Sequence, residues 1–233
     1  MKIALIGYGK MGKLIREKAV EKGYTITAIV NSTTSFSDPL ISAGISAADV
    51  CIDFSHPQCV LNNVKALAGM KKSIVMGTTG WADSLDEVLQ IAQNAHIGFI
   101  HSPNFSLGIA LFLAIVEQAA SLIGPLDDYD AAGYEIHHHQ KVDSPSGTAK
   151  ILADAINKHR TAGSAPLSFS SVRVGHVPGT HSVLFDSTVD TITLTHTARN
   201  KEGFALGALK AAEWLRDKQG IFTMSDFLLD KGG

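Results

Sequence analysis

The first hundred residues alternate short apolar runs with longer segments of helical periodicity. Runs rich in β-branched residues predict five strands: Lys2–Ile6, Thr25–Val30, Val50–Phe54, Ser73–Met76 and Ile97–Ile100. Apolar residues at three- and four-residue spacing predict three helices: Lys10–Lys22, Gln58–Ala68 and Leu85–Ala95. Because helices connect successive strands, we expect a parallel sheet. The connection Asn31–Ala48 is rich in Ser, Thr, Gly and Pro and has room only for a short helix around Leu40–Ala43.

The pattern changes after about Tyr129. Four strand-like runs follow: Tyr134–His139, Leu167–Gly175, His181–Phe185 and Thr191–His196. One predicted helix, Ser146–His159, interrupts them, so this half indicates a mainly antiparallel sheet in an α+β arrangement. A last amphipathic helix, Phe204–Asp217, carries small residues at helical spacing, which suits close packing on a sheet. We therefore expect the chain to return to its first half.

A glycine motif joins the first predicted strand to the first predicted helix. GxGxxG spans Gly7-Tyr8-Gly9-Lys10-Met11-Gly12. Gly7 permits a tight turn, Gly9 keeps side-chain atoms away from a pyrophosphate, and Gly12 lets the helix approach the strand. Free N–H groups at the helix start can then bind the anion. A ligand-free turn is the alternative, but the alternating strands and helices that follow favour a dinucleotide site.

The residues after the second strand bear on the choice of nicotinamide cofactor. An acidic residue there favours NAD and an arginine favours NADP, and this loop has neither. Asn31 can bond a ribose hydroxyl, whereas Ser32 and the following threonines can donate to a 2′-phosphate, with Lys10 adding positive charge. NADH and NADPH both stay open, as does a purely solvated loop.

Two more segments follow the fourth and fifth strands, at the edge where open α/β sheets bind ligands. They are Gly77-Thr78-Thr79-Gly80 and Ser102-Pro103-Asn104-Phe105. Their backbone groups can hold a nicotinamide carboxamide, and Phe105 can flank its ring. Each segment taken alone is more typical of an ordinary turn.

A histidine-rich strand end leads into a helix start in the second half. The segment Ser144-Pro145-Ser146-Gly147-Thr148 combines capping hydroxyls, an early proline and small residues, which leaves N–H groups open to a carboxylate or phosphate. Lys141 can add charge to the same anion, and Asp143 can orient that lysine or cap the turn. A nearby histidine is suited to proton transfer near neutral pH. A solvated strand end with a plain cap is the alternative, but the combination favours an anionic-substrate site.

The three adjacent histidines do not indicate a metal centre. On a strand, His137 and His139 face one way and His138 the other, so the three cannot easily share one tetrahedral ion. No cysteine pair or HExxH helix completes such a site. We expect no bound metal.

Composition narrows the class of partner. Of the 233 residues, 45% are hydrophobic and 18% charged, which excludes disorder and a coiled coil. The formal net charge of −2 argues against nucleic-acid binding.

Cys51 and Cys59 are too few for a disulfide framework, and the N-terminal apolar run is too short for a signal peptide, so we expect a cytoplasmic protein. Glu117 interrupts the apolar stretch Leu107–Ile123, so we expect a buried or subunit-facing helix and no membrane partner.

These residues together resemble the 4-hydroxy-tetrahydrodipicolinate reductase (dihydrodipicolinate reductase) family. The most specific part is a glutamate, two histidines, a lysine and a segment close to D-A-P-S-G-T-A, present here as Glu135, His137, His138, Lys141 and Asp143–Ala149. Ser144 replaces the usual alanine, and Lys201 stands where many relatives carry arginine. A bidentate carboxylate clamp there becomes a single point charge.

The resemblance implies reduction of a cyclic dicarboxylate by NADH or NADPH with loss of water. His137 then looks like the acid/base residue and Lys141 like the proton donor or charge partner. Which of the two delivers the proton stays open, because both can be protonated beside a dicarboxylate. The implied substrate contacts are His138, Ser146, Gly147, Thr148 and, from the cofactor side, Thr79. The implied cofactor contacts are Gly7 to Gly12, Asn31, Ser32, Gly77, Thr78, Thr79, Ser102, Pro103, Asn104 and Phe105.

We therefore predict an α/β protein with an N-terminal Rossmann-like dinucleotide-binding domain and a second α+β domain for substrate and oligomerisation. Residues 1–103 and 204–233 form the first domain and residues 104–203 the second. The resemblance implies a homotetramer built through the sheets of the second domain. Two alternatives remain: another Rossmann oxidoreductase, such as a sugar or amino-acid dehydrogenase, and a nucleotide-binding redox sensor without turnover.

Overall fold

The computed structural model describes residues 1–161 and 165–230. They fall into two compact units, Met1–Ser106 with Phe204–Gly233 and Leu107–Gly203. Residues 162–164 and 231–233, which belong to the predicted domain ranges, lie outside the described residues.

The chain opens with alternating parallel strands and helices. The elements are β1 (Lys2–Ile6), α1 (Lys10–Glu21), β2 (Thr25–Val30), α2 (Pro39–Ser46), β3 (Val50–Asp53), α3 (Val60–Gly69), β4 (Ser73–Met76), α4 (Leu85–Asn94) and β5 (Gly98–His101). Short 3₁₀ turns, Pro57–Cys59 and Ala82–Ser84, precede α3 and α4. The predicted strands and helices are confirmed here to within two residues at most ends.

Helix α2 is longer than the four-residue helix that we expected. Asp38 caps it by accepting hydrogen bonds from the backbone N–H groups of Leu40 and Ile41, and Pro39 occupies the first turn. Both features favour helix initiation. Ile45, which is 0% exposed, anchors the last turn in the core.

The second unit forms a mixed sheet with helices on one face. Its elements are α5 (Leu107–Ile123), β6 (Asp130–His137), α6 (Gly147–Asn157), β7 (Phe169–Arg173), β8 (Thr180–Asp186) and β9 (Thr191–Thr197). The strand order is β7-β6-β8-β9. Strands β6 and β7 run parallel, and the other two pairs are antiparallel, as the mainly antiparallel prediction requires. Apolar residues of α5 and α6, such as Val116 and Leu152, pack on Val183 and Phe185 of the sheet.

The chain then re-enters the first unit through α7 (Glu202–Leu215), β10 (Gly220–Phe222) and α8 (Met224–Leu229). Strand β10 completes a six-stranded sheet with order β10-β5-β4-β3-β1-β2, in which every pair is parallel. The chain order reverses between β1 and β3, and the carboxyl ends at such a switch point form the ligand-binding crevice of open α/β sheets. The sheet and its helices enclose a core that includes Ile6, Leu67 and Phe99, each at most 1% exposed.

Helix α5 is formed by the apolar stretch Leu107–Ile123. Phe112, Val116 and Ala120 are buried, whereas Leu111 and Ile115 are 51% and 54% exposed. Among the described residues, no helix has both the length and the apolar character that a bilayer crossing needs.

Candidate functional site

The glycine loop of the first unit lies at the switch point. Gly7 has φ +90°, and a Cβ there would lie 2.3 Å from the carbonyl oxygen of Phe54, so only glycine fits. A Cβ on Gly12 would lie 2.2 Å from the Gly7 carbonyl oxygen, which explains the close approach of α1. Gly9 differs, since a Cβ there would meet no described atom within 4 Å.

Helix α1 leaves its N-terminus available to an anion. Gly9 is the N-cap, and within the described chain no side chain caps this end and no acidic residue lies in the first turn. Backbone N–H groups at such an end attract negative charge. The open space beside Gly9 therefore fits the pyrophosphate of a dinucleotide.

The loop after β2 is organised by its own polar residues. Asn31 Oδ1 accepts hydrogen bonds from the Thr33 backbone N–H at 2.8 Å and from Thr33 Oγ1 at 2.7 Å. The Asn31 backbone N–H donates to Thr34 Oγ1 at 2.7 Å. Ser32 is exposed in this turn. The loop carries neither the acid nor the arginine that would select one cofactor.

A buried carboxylate that sequence reasoning did not single out fixes the Gly77–Gly80 loop. Asp53, at the end of β3, accepts hydrogen bonds from Thr78 Oγ1, Ser55 N and Asn63 Nδ2 at 2.8 to 2.9 Å. Burial raises the pKa of Asp53, and these hydrogen bonds oppose the rise. The Thr78 hydroxyl is thus engaged by Asp53, whereas Thr79 is exposed.

The Ser102–Phe105 segment is held in a similar way. Ser102 Oγ donates to the Asn104 carbonyl at 2.8 Å, and Asn104 Oδ1 accepts from the Ser106 backbone N–H at 2.8 Å. Phe105 is 1% exposed and packs edge-on against Phe54. Pro103 is exposed.

Glu135 is the centre of the polar cluster in the second unit. It lies on β6, is 0% exposed, and accepts three hydrogen bonds at Oε1, from Ser146 N (3.0 Å), Ser171 Oγ (2.8 Å) and Arg173 Nη2 (2.9 Å). Burial alone would raise the pKa of Glu135. The hydrogen bonds from Ser146, Ser171 and Arg173 outweigh burial and hold the pKa at about 2.

Two histidines face the second oxygen of this carboxylate. His137 Nδ1 lies 3.4 Å and His181 Nε2 lies 3.5 Å from Glu135 Oε2. The two rings meet edge-on with centroids 5.1 Å apart. Burial lowers the pKa of His181 to about 4. Burial also lowers the pKa of His137, against the attraction of Glu135. Burial therefore favours the neutral form of both imidazoles.

Lys141 lies in the turn after β6. Its Nζ is 2.7 Å from Asp143 Oδ1, the partner that the sequence suggested. The hydrogen bond from Lys141 is the main cause that lowers the pKa of Asp143, and the Gly147 backbone N–H lowers it further. Asp143 therefore lies between the lysine and the helix start.

The start of α6 presents small groups. Ser146 is the N-cap, is 2% exposed, accepts from Ala149 N at 3.2 Å and lies 3.2 Å from His181 Nε2. Its described contacts are thus internal. Gly147 is exposed, and a Cβ there would meet no described atom within 4 Å. Thr148 is half-buried. The positive end of the α6 helix dipole lies here and attracts negative charge.

The strand geometry assumed for the histidines was partly wrong. Strand β6 ends at His137, so His138 and His139 lie in the following turn and do not alternate across a sheet. A different set could present metal ligands: atoms of Glu135, His137 and His181 lie within 4.8 Å of one another. The guanidinium of Arg173, 2.9 Å from Glu135 Oε1, adds a positive charge that disfavours a cation. We assign no metal there.

Arg173, His181 and Ser171 were missed because strand pairing brings them to Glu135. The register of β6 pairs Glu135 with Ser171 and with His181, and pairs His137 with Arg173. The sequence does show these polar residues inside strand-like runs. It does not show which strands pair with β6, so their contact with Glu135 could not be predicted.

The parallel sheet with its glycine loop, and a separate unit bearing a histidine and lysine cluster, define a Rossmann-type oxidoreductase that uses a nicotinamide dinucleotide. Two family models match: "Dihydrodipicolinate reductase, N-terminus" over residues 1–105 and "Dihydrodipicolinate reductase, C-terminus" over residues 108–228. The chain belongs to the dihydrodipicolinate reductase family.

Relatives from distant organisms support the same assignment. A 4-hydroxy-tetrahydrodipicolinate reductase of Christiangramia forsetii is 38% identical and covers 99% of this chain and 98% of its own. One from Archaeoglobus fulgidus is 35% identical and covers 98% and 100%.

Solved structures share the fold. A dipicolinate-bound dihydrodipicolinate reductase from Paenisporosarcina sp. TG-14 has TM-score 0.79 at 22% identity, covering 96% of this chain and 97% of its own. An amine dehydrogenase from Mycobacterium smegmatis has TM-score 0.64 at 10% identity, covering 97% and 95%. The predicted fold class, family and enzyme class are confirmed.

Proposed function

We propose that the protein reduces 4-hydroxy-tetrahydrodipicolinate to tetrahydrodipicolinate, a step of diaminopimelate and lysine biosynthesis. One equivalent of NADH or NADPH and one proton are consumed, and one water leaves. Family membership over nearly the whole chain supports the reaction. The observation that carries it is the second unit's helix start, where Gly147 is open and Lys141 lies beside Asp143.

The dicarboxylate substrate suits the groups of the second unit. We assign the carboxylate contacts to His138, Gly147 and Thr148, with Ser146 supporting the helix start, and we propose Thr79 as a further substrate contact. The positive end of the α6 helix dipole and the Lys141 ammonium provide positive potential for two carboxylates.

The proton chemistry falls to His137 and Lys141. NADH or NADPH, when bound, supplies the hydride. Lys141 carries a proton on Nζ, which Asp143 orients, and it can give this proton to the substrate or compensate its charge. His137, buried beside Glu135, can pass a proton at its imidazole. Both residues therefore hold protons beside the proposed carboxylate site.

The cofactor contacts lie in the first unit. Gly7, Tyr8, Gly9, Lys10, Met11 and Gly12 receive the pyrophosphate, and Asn31 and Ser32 face the ribose. Gly77, Thr78, Thr79, Ser102, Pro103, Asn104 and Phe105 complete the nicotinamide side. Because the ribose loop has neither an acid nor an arginine, we propose use of both NADH and NADPH. Apart from Asn104 and Phe105, the proposed division holds: residues 1–103 and 204–233 serve the dinucleotide, and residues 104–203 serve the substrate.

The open face of the second sheet suits self-association. Tyr134 on β6 and Val172 on β7 are 38% and 47% exposed, and the β6–β7 register places both on the face opposite Glu135. Apolar sheet faces of this kind are typical of interfaces. We propose a cytoplasmic homotetramer that joins subunits through this sheet. Sedimentation of the purified protein tests it, and a monomer would contradict it.

The reaction is tested by following NADH and NADPH absorbance with freshly generated 4-hydroxy-tetrahydrodipicolinate. We expect oxidation of either cofactor that depends on this substrate. Absence of oxidation with both cofactors, while the protein is folded, would contradict the proposed function. The ratio of the two rates measures the cofactor preference.

A further inference from the structure

We infer that Glu135 is a positioning residue, which holds His137 by accepting a hydrogen bond from its Nδ1–H and thereby leaves Nε2 as the atom that exchanges protons. The inference deepens the proposed function and rests on it for the role of His137. It does not place Glu135 in contact with substrate or cofactor.

The two oxygens of Glu135 have different surroundings. Three donors, Ser146, Ser171 and Arg173, all bind Oε1. Oε2 is buried and, among the described residues, has no hydrogen-bond partner. A buried carboxylate oxygen without a donor is costly. A donor for Oε2 is therefore required.

His137 is the donor that fits. Its Nδ1 is also buried without a described partner and lies 3.4 Å from Oε2. His181 Nε2 is 3.5 Å from the same oxygen but has Ser146 Oγ at 3.2 Å as another partner. A proton on His137 Nδ1 therefore satisfies two buried atoms at once. The hydrogen bond made by one imidazole nitrogen determines which nitrogen carries the proton.

The strands make this arrangement rigid. Glu135 and His137 project from one face of β6, and the parallel register sets Arg173 beside His137 on β7. On the other edge of the ring, a Cβ at Gly179 would lie 3.0 Å from His137 Nε2. The imidazole is thus bounded by Glu135 on one side and by the glycine backbone on the other.

The charges around His137 explain how Glu135 affects the pKa of this histidine. The groups that face it are Glu135 on its own strand, Arg173 on β7, His181 on β8, and Lys141 and Asp143 in the following turn. Burial, Lys141 and Arg173 lower the pKa of His137, and Glu135 opposes them. Loss of the Glu135 charge removes this opposition, so the imidazole becomes harder to protonate.

The test compares Glu135→Gln with the wild-type enzyme. We expect kcat to fall about 10- to 100-fold, the range seen when carboxylates that orient metal-bound histidines are replaced. KM for the dicarboxylate should change less than threefold, about the scatter of independent sites. The pH at which kcat is half-maximal on the acidic side should move to lower pH. Asp130→Asn is the matched control, because Asp130 lies on the same strand with its side chain 82% exposed.

A double-mutant cycle separates positioning from a general structural role. If Glu135 acts through His137, adding Glu135→Gln to His137→Gln should lower kcat no further. Equal losses in both backgrounds would overturn the inference, as would an unchanged kcat and pH profile in Glu135→Gln.

A second measurement determines the tautomer of His137 directly in the wild-type protein. Long-range ¹H–¹⁵N spectra, assigned with His137→Gln, should show His137 protonated at Nδ1 at neutral pH. Protonation at Nε2 would overturn the inference. This readout is independent of turnover, so inactivity of the wild-type enzyme would refute the proposed function alone.

Discussion

The glycine loop of the first unit and the histidine cluster of the second unit differ in the groups that they offer to a negatively charged ligand. The loop offers backbone N–H groups at the start of α1, and in the part of the chain that the structure describes the first turn of this helix has no acidic residue. The cluster combines a helix start with Lys141, Arg173 and Glu135, and each cation already has a carboxylate partner. The potential that the loop offers to an anion is therefore set by the conformation of the main chain. The potential of the cluster is set by the protonation of its side chains.

Replacing Lys141 by Ala should have the largest effect. The change removes the proton donor and the positive charge beside Asp143, and we expect kcat/KM to fall by about 10³-fold with the fold intact. Steady-state kinetics measure the loss and thermal unfolding checks the fold. Lys150→Ala, an exposed lysine on α6, serves as the control. Retention of wild-type activity would exclude the proposed role.

His137→Gln should follow, with kcat lower by about 10²-fold, because an amide cannot exchange protons near neutral pH. Binding of dipicolinate, measured by calorimetry, should change far less than kcat. His139→Gln is the matched control, since His139 is exposed in the adjacent turn. Equal kcat in both variants would argue that His137 only packs.

Acid should destabilise the second unit through His181. Its pKa is about 4 when folded against an ordinary value of 6.5, so the unfolded chain binds more protons between these values and stability is lost as pH falls through that window. The loss should be about 1–3 kcal/mol. Urea unfolding at pH 7 and pH 4, with His181→Asn for comparison, measures it. If the variant loses as much stability as wild type, another group is responsible.

Two glycine substitutions should separate shape from binding in the first unit. At Gly9 a Cβ meets open space, so Gly9→Ala should keep the melting temperature and weaken NADH binding about tenfold by crowding the pyrophosphate. At Gly12 a Cβ meets backbone, so Gly12→Ala should destabilise the fold by about 1–3 kcal/mol. Fluorescence titration and thermal unfolding distinguish the two outcomes. Similar melting temperatures for both variants would contradict the steric argument.

The same contrast explains how far sequence reasoning reached. The glycine motif could be identified completely from sequence, because its parts lie within six consecutive residues and its function depends on backbone N–H groups. The helix start at Ser146–Thr148 and the Lys141–Asp143 pair were also local, and both were found.

Long-range pairing explains what sequence reasoning missed. Arg173 and His181 reach Glu135 only through the register of β7 and β8, which one chain's pattern does not reveal. Asp53 was overlooked because a single acid inside an apolar run gives no hint of three donors. Strand β10 and helix α8 were missed because they are short and only partly buried.

The pairing of each cation of the second unit with a carboxylate affects the rate at which substrate binds. Lys141 and Arg173 are each neutralised by a neighbouring carboxylate at 2.7 Å and 2.9 Å. The proposed dianionic substrate should therefore meet little net potential at a distance, and attraction should develop only within a few ångströms of the α6 helix start. The association rate should consequently vary only weakly with ionic strength.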